Sequence, residues 1–226
     1  MQNPLHNKKL TKSLYASLLI GLMFFCSAIC SCTNSVIQTS EAKLSIIFDY
    51  DSYEELPNAR LSVFVEASSD PNRMETITVT CKQREYIWES DELIRAQNNE
   101  VKYCGLTNIV MPPEEKIPTG EYTVTYTQAD NEKKEMKATL NYDQTFYQTK
   151  ADDVGLLMQK YLGSKMLTIY GEEDRILYYG PRSAQYADAR GIWNEYRDAK
   201  EFQESWISSG GNVVCNLPVE QVVPGN

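Results

Sequence analysis

Apolar and polar residues alternate along one short segment after another between residues 43 and 142. Successive side chains of an extended strand point to opposite faces, so this alternation predicts strands with one buried and one exposed face. Polar turns such as Asp130-Asn131 separate the segments. The strands expected from this pattern span residues 44–50, 61–65, 77–81, 86–89, 103–111, 122–127 and 136–142. Seven short strands at this spacing predict a β-sandwich over residues 43–145.

The segment 117–124, with the sequence IPTGEYTV, places a proline, a glycine and a tyrosine at the start of a strand pattern. It resembles the start of a late strand in fibronectin-III-like and other immunoglobulin-like modules of bacterial surface proteins. The resemblance implies an immunoglobulin-like β-sandwich, in which Pro118 and Gly120 turn the chain and Tyr122 packs at the corner. Trp88 is the expected core tryptophan, and the charged residues 90–100 are expected to form a loop or helical turn.

The pattern changes after residue 145. Asp152 and Asp153 precede apolar residues at helical spacing, which predicts a short helix ending at Gly163. Residues 166–170 and 176–179 are the expected strands of a hairpin, and residues 213–217 are a further short strand. We therefore expect residues 146–226 to form a C-terminal α/β region packed on the sandwich, in a fold that is mainly β.

Aromatic residues recur at helical spacing between residues 186 and 206, which predicts an amphipathic helix with a wide aromatic stripe. Two interpretations of this stripe remain open. It is a possible interaction face for a protein or glycan partner. Alternatively, the helix covers one open face of the sandwich. The residues of the possible interaction face are Tyr186, Trp193, Tyr196 and Trp206.

The start of the chain has the composition of a signal peptide. Lys8, Lys9 and Lys12 form a basic segment without acidic residues, and an apolar run over residues 14–25 follows directly. A spanning helix needs about 20 consecutive apolar residues, so this run is too short to cross a bilayer comfortably. We expect residues 1–31 to be removed as a signal peptide.

The residues after the apolar run, Ile29-Cys30-Ser31-Cys32, resemble the cleavage signal of bacterial lipoproteins, in which an aliphatic residue and two small residues precede an obligatory cysteine. Cys30 departs from the strict pattern and is similar to the looser signals of spirochaetes and some Bacteroidetes. The resemblance implies that Cys32 carries the acyl chains, including palmitate, with Cys30 as the alternative site. Residues 32–42 would then form a lipidated tether at the bacterial cell envelope, at the outer membrane or cell surface.

Three cysteines remain if Cys32 is lipidated: Cys81, Cys104 and Cys215. An oxidising compartment permits a disulfide. Cys81 and Cys104 lie on neighbouring predicted strands, so we expect that pair to form the disulfide and Cys215 to stay buried or free. Pairing of Cys215 with either of the others is the alternative, because spacing alone does not decide connectivity.

The chemistry open to the chain is limited by its single histidine, His6, which lies in the predicted signal peptide. Cleavage therefore removes the Ser-His-Asp and Cys-His mechanisms and every zinc site that uses imidazole. A net charge of −9 opposes binding to nucleic acid. The carboxylates at residues 49–55 lack the spacing and central glycine of a calcium loop, so we expect neither a metal nor a cofactor.

These features together predict a membrane-anchored envelope protein with a non-catalytic binding or adhesin-like role. One alternative is a structural or assembly subunit of an envelope complex, in which the aromatic stripe is an obligate interface. Another is a hydrolase such as a glycosidase, which needs only two carboxylates and no histidine. No motif in the sequence selects such a pair of carboxylates, so we expect no enzymatic activity.

Overall fold

The structure is a computed structural model that describes residues 39–67, 71–98 and 100–222. The predicted signal peptide and Cys32 lie outside the described residues. The strands are β1 (Thr39–Asp49), β2 (Asn58–Ala67), β3 (Met74–Cys81), β4 (Tyr86–Ser90), β5 (Ile94–Asn98), β6 (Val101–Ile109), β7 (Gly120–Gln128), β8 (Lys133–Leu140), β9 (Ser164–Tyr170), β10 (Ile176–Pro181), β11 (Glu201–Ile207), β12 (Val213–Asn216) and β13 (Glu220–Gln221). The α-helices are α1 (Val154–Gln159) and α2 (Ala189–Glu195).

These strands form two sheets. The larger sheet has the order β10-β9-β11-β12-β1-β2-β6-β5, with β13 paired to β11, and the smaller sheet has the order β4-β3-β7-β8. Neighbouring strands are antiparallel, except that β12 runs parallel to β1. The prediction of a mainly β fold with a two-sheet sandwich is therefore confirmed.

The sandwich core is formed by the inward residues of the alternating pattern. Val63 and Val65 of β2, Val79 of β3 and Val124 of β7 are fully buried, as period-two alternation requires. Burial of an aliphatic side chain of this size stabilises the fold by about 1.5–3 kcal/mol. Trp88, the expected core tryptophan, is only half-buried, because it lies on the edge strand β4 and packs against the core from its margin.

The predicted tyrosine corner is present at the start of β7. The hydroxyl of Tyr122 donates a hydrogen bond to the carbonyl oxygen of Pro118 at 2.6 Å, and the side chain is fully buried. Burial raises the pKa of Tyr122 well above its ordinary value. Gly120 has φ +128°, a backbone conformation that side chains disfavour, so the glycine allows the chain to turn into the strand.

The structure differs from the sequence analysis within the expected loop of residues 90–100 and at the first strand. Residues 94–98 form strand β5, which pairs with β6, rather than a loop or helical turn. Ile94 and Ala96 alternate with Arg95 and Gln97, but all four side chains are exposed, and so short an alternation among charged and polar residues did not identify a strand. Strand β1 begins at Thr39, earlier than the predicted start at residue 43, and thus includes part of the predicted tether.

The prediction of one long aromatic helix between residues 186 and 206 is wrong. Helix α2 ends at Glu195, and residues 201–207 form strand β11. Phe202 and Trp206 are four residues apart, a spacing compatible with one face of either a helix or a strand. Strand pairing makes this segment extended, because β11 hydrogen-bonds to β9 on one side and to β12 and β13 on the other.

The region after residue 145 otherwise contains the predicted elements: helix α1, the β9–β10 hairpin and strand β12. Strands β9 to β12 continue the same sheet that contains β1 and β2. A separate C-terminal appendage is therefore not confirmed, and the domain boundary at residue 145 stays a prediction. Among the described helices, none has the length and apolar character needed to cross a membrane.

The predicted disulfide between Cys81 and Cys104 is wrong, because both thiols are free and buried, as is Cys215. Cys81 belongs to β3 of the smaller sheet and Cys104 to β6 of the larger one, so the two are not on neighbouring strands. Burial raises the pKa of Cys104, and it raises the pKa of Cys215 to about 12. The thiols of Cys104 and Cys215 therefore stay protonated at neutral pH.

Candidate functional site

A groove opens at the side of the sandwich where the chain crosses from the smaller sheet to the larger one. The chain leaves β4, crosses through residues 91–93 and enters β5 at Ile94. Strand β5 pairs only with residues 101–105 of β6, so no described strand pairs with residues 106–109 on that side. We name the resulting cavity of about 730 Å³, lined by Ile77, residues 88–95 and residues 106–109, the edge groove.

The base of the edge groove is apolar. Ile77 of β3 and Ile109 of β6 are buried side chains of the sandwich core that line it. Trp88 pairs with the fully buried Val79, so its ring lies on the inner face of β4 and forms one wall. The ring is half-buried, which leaves part of a large apolar surface available to a partner.

A short irregularity in β6 brings two of its residues to the base together. Val63 pairs with Leu106, but Leu61 pairs with Ile109, so the register shifts by one residue between these pairs. A β-bulge of this kind bends the strand and ends regular pairing. Leu106 and Ile109 are both buried as a result, while Asn108 between them is exposed at the rim.

The rim of the edge groove is acidic. Its lining includes three carboxylates, from Glu89, Asp91 and Glu92, and one guanidinium, from Arg95. Glu89 accepts a hydrogen bond from Thr78 Oγ1 at 3.2 Å on the outer face of β4. No basic side chain in the described part of the chain forms an ion pair with any of these three carboxylates.

Arg95 forms no ion pair with the rim carboxylates in the described part of the chain, and its donors are directed to backbone carbonyl oxygens. Nη2 donates to the carbonyl of Met74 at 2.8 Å, and Nε donates to that of Pro71 at 3.3 Å. Nη1 donates to the carbonyl of Leu93 at 3.3 Å. The side chain thus connects β5 of one sheet to the start of β3 in the other and closes one end of the edge groove.

Three of the four residues of the possible interaction face lie together, and Trp206 lies apart from them. Tyr186 is buried, with ring centroids 4.8 Å from Tyr178 and 5.9 Å from Tyr196. Its hydroxyl lies 3.4 Å from that of Tyr196, and this hydrogen bond raises the pKa of Tyr196 to about 12. Trp193 packs against the same hydrophobic cluster and is half-buried.

Trp206 occupies a different place, on strand β11, and belongs to the sandwich core cluster. Its ring lies beside Gly155 of α1, and the ammonium of Lys165 stands 5.5 Å from the ring centroid. The structure therefore brings Tyr186, Trp193 and Tyr196 together and separates Trp206 from them. A binding role for any of the four stays a prediction.

Sequence reasoning missed the edge groove because its residues belong to separate segments. The acidic residues 89–92 directly after Trp88 were the one available signal, since an exposed acidic turn beside a tryptophan suggests a partly open aromatic surface. In the described part of the chain, no group of three or more His, Cys, Asp or Glu residues is placed to hold a metal ion.

Comparison of the chain with protein-family models, with curated proteins and with solved structures gave no match.

Proposed function

We propose that this protein is a lipid-anchored, non-catalytic binding protein of the bacterial cell envelope and that it binds a partner in the edge groove. The observation that carries the proposal is the combination of an apolar base, a half-buried tryptophan and a polar rim in one cavity of about 730 Å³. Binding sites in proteins are typically concave and apolar, with a few polar groups, at volumes of about 300–1,000 Å³.

The anchoring part of the proposal rests on the sequence motif at residues 29–32. Several acyl chains on one cysteine each bury many methylene groups, at about 0.8 kcal/mol per methylene, so the attachment would be stable. Mass spectrometry of the native protein should find acylated Cys32 as the first residue. Acylated Cys30 would keep the anchor and move the site, whereas an unmodified start at another residue would contradict the anchoring.

The binding part can be tested in living cells by site-specific photo-cross-linking. A photoreactive amino acid at Glu92, on the rim of the edge groove, should form an adduct of one defined mass after irradiation. The matched control is the same amino acid at Glu173, which is exposed and does not line the groove. Equal adducts at both positions, or none at Glu92, would refute a partner in the edge groove.

An assembly subunit is the second candidate function, because one outer strand of the larger sheet is apolar and exposed. Among the described strands, β10 pairs only with β9, and Ile176 and Tyr179 are 61% and 59% exposed on it. Free strand edges with exposed apolar side chains favour pairing with another chain. The hydrolase hypothesis has no comparable observation in its favour and stays a prediction.

A further inference from the structure

We propose that the occupant of the edge groove is an extended, basic peptide segment of a partner protein, which adds as a short strand to β6. This inference rests on the proposed function and names the partner's chemistry. Three observations support it: a length of strand with one free edge, an apolar base with a half-buried aromatic wall, and carboxylates without an ion-pair partner among the described residues.

The free strand edge is the side of residues 106–109 of β6 that faces away from β2, where no described strand pairs with them. Strand β5 occupies the position beside β6 only as far as Ile94, where the crossover to β4 begins. The edge groove lies beyond that point, where a longer β5 would have continued beside β6. Proteins bind extended peptides at such free edges, because main-chain hydrogen bonds supply affinity and pockets for alternate side chains supply specificity.

The shape of the site favours a strand over a helix. Adjacent strands lie about 4.8 Å apart, so a segment beside β6 would follow the line that β5 leaves. A helix with its side chains is about 10 Å across. The crossover at residues 91–93 and the guanidinium of Arg95, which bonds to the start of β3, bound the same space.

Period-two geometry then assigns a role to each side of the bound segment. Alternate side chains would point inward, towards the apolar base at Leu106 and the ring of Trp88. The remaining side chains would point to the rim, where Asp91 and Glu92 are exposed. Because these carboxylates have no ion-pair partner among the described residues, lysine or arginine on the segment would gain favourable electrostatic contacts.

The test uses the purified lipidated chain in detergent and a fluorescent peptide of alternating lysine and valine, measured by anisotropy. Two further peptides replace lysine by glutamate or carry N-methyl groups on alternate amides. We expect the lysine peptide to bind, with affinity that falls as salt concentration rises. Both altered peptides should bind at least about tenfold more weakly, since one loses charge complementarity and the other loses main-chain donors.

Variants of the protein locate the site. Asp91→Asn combined with Glu92→Gln should weaken binding of the lysine peptide by about tenfold, because it removes the rim charges. The matched control, Glu135→Gln combined with Glu173→Gln, removes the same charge from exposed positions outside the groove and should leave binding unchanged. Circular dichroism of both variants checks that the fold is retained.

Equal binding of the lysine and glutamate peptides, or insensitivity to N-methylation, would overturn the inference. Binding of a neutral oligosaccharide, without binding of the lysine peptide, would also overturn it and assign the groove to a glycan. Those results would leave the proposed function standing if photo-cross-linking at Glu92 still gave its defined adduct. Loss of that adduct would instead remove the proposed function itself.

Discussion

At the scale of single residues, Glu204 is the clearest case of a charge held inside the molecule. Its side chain is 8% exposed, and its carboxylate forms ion pairs with Lys165 at 2.6 Å and with Arg182. Arg182 also donates from Nε to the carbonyl oxygen of Tyr186 at 3.0 Å. Glu204 therefore connects strand β9 and the segment before α2 to strand β11.

Replacing Glu204 with glutamine should destabilise the protein. The change leaves the two cations without their carboxylate, and breaking a buried pair costs about 3–5 kcal/mol. Lys165 and Arg182 are 35% and 30% exposed, so solvent reduces this cost, and we expect about 1–3 kcal/mol in urea unfolding. Glu172→Gln is the control, because its pair with Lys200 is exposed. Equal unfolding midpoints for both variants would contradict this role.

At the scale of elements, the backbone of β2 lies close against β6 at Gly105. A Cβ atom added there would lie 2.0 Å from the carbonyl oxygen of Val63 and 2.8 Å from the Cα of Phe64. Both atoms belong to the backbone of the paired strand β2, so they cannot move aside without disturbing the sheet. Any side chain at residue 105 therefore disturbs the pairing that supports the edge groove.

Gly105→Ala should destabilise the protein by about 1–3 kcal/mol, the usual cost of overpacking a tightly packed position. It should also weaken binding in the edge groove, because β6 provides the groove's base. Chemical denaturation measures the first effect and peptide anisotropy the second. Gly210→Ala is the control, since the nearest atom to its added Cβ is a side-chain oxygen of Asn212 at 3.3 Å. The prediction fails if Gly105→Ala is as stable as this control.

The strands that alternate strongly could be predicted from the sequence, because a strand with one buried and one exposed face requires apolar and polar residues in alternation. Strands β3 and β7, with Val79 and Val124 inward, are such cases. Strand β5 could not, since its apolar alternation is limited to Ile94 and Ala96 and its described side chains are exposed. Strand β11 could not, since Trp206 fits a helical spacing too. The edge groove exists because β5 stops pairing with β6 at Gly105. Where such pairing stops depends on contacts between distant segments, which the local sequence pattern does not reveal.

At the scale of the whole molecule, phenols and thiols are distributed through one continuous core. Tyr50, Tyr122 and Tyr142 are buried there, and burial raises the pKa of each well above its ordinary value. Cys215 lies in the same core, with its pKa raised from 9.0 to about 12. The folded protein therefore keeps protons in alkaline solution that the unfolded chain releases.

This distribution predicts that stability falls as the pH rises from about 9 to about 12, the window set by the unfolded and folded pKa of Cys215. Below that window these groups are protonated in both the folded and the unfolded state, so they contribute no pH dependence to the free energy of unfolding. Within it only the unfolded state ionises, and unfolding becomes more favourable. Urea midpoints across this range test the prediction, and Cys215→Ser should reduce the slope. An unchanged midpoint from neutral pH to about pH 11 would contradict it.

The position of β1 has a mechanical consequence for a protein proposed to be anchored through Cys32. β1 pairs with β2 along its length and with β12 over residues 46–49, so it lies inside the larger sheet rather than at its margin. A pull between a bound partner and the membrane would load these hydrogen bonds in shear, all at once, instead of opening them one by one. Such an arrangement would let the domain carry tension at its tether without unravelling from the anchored end.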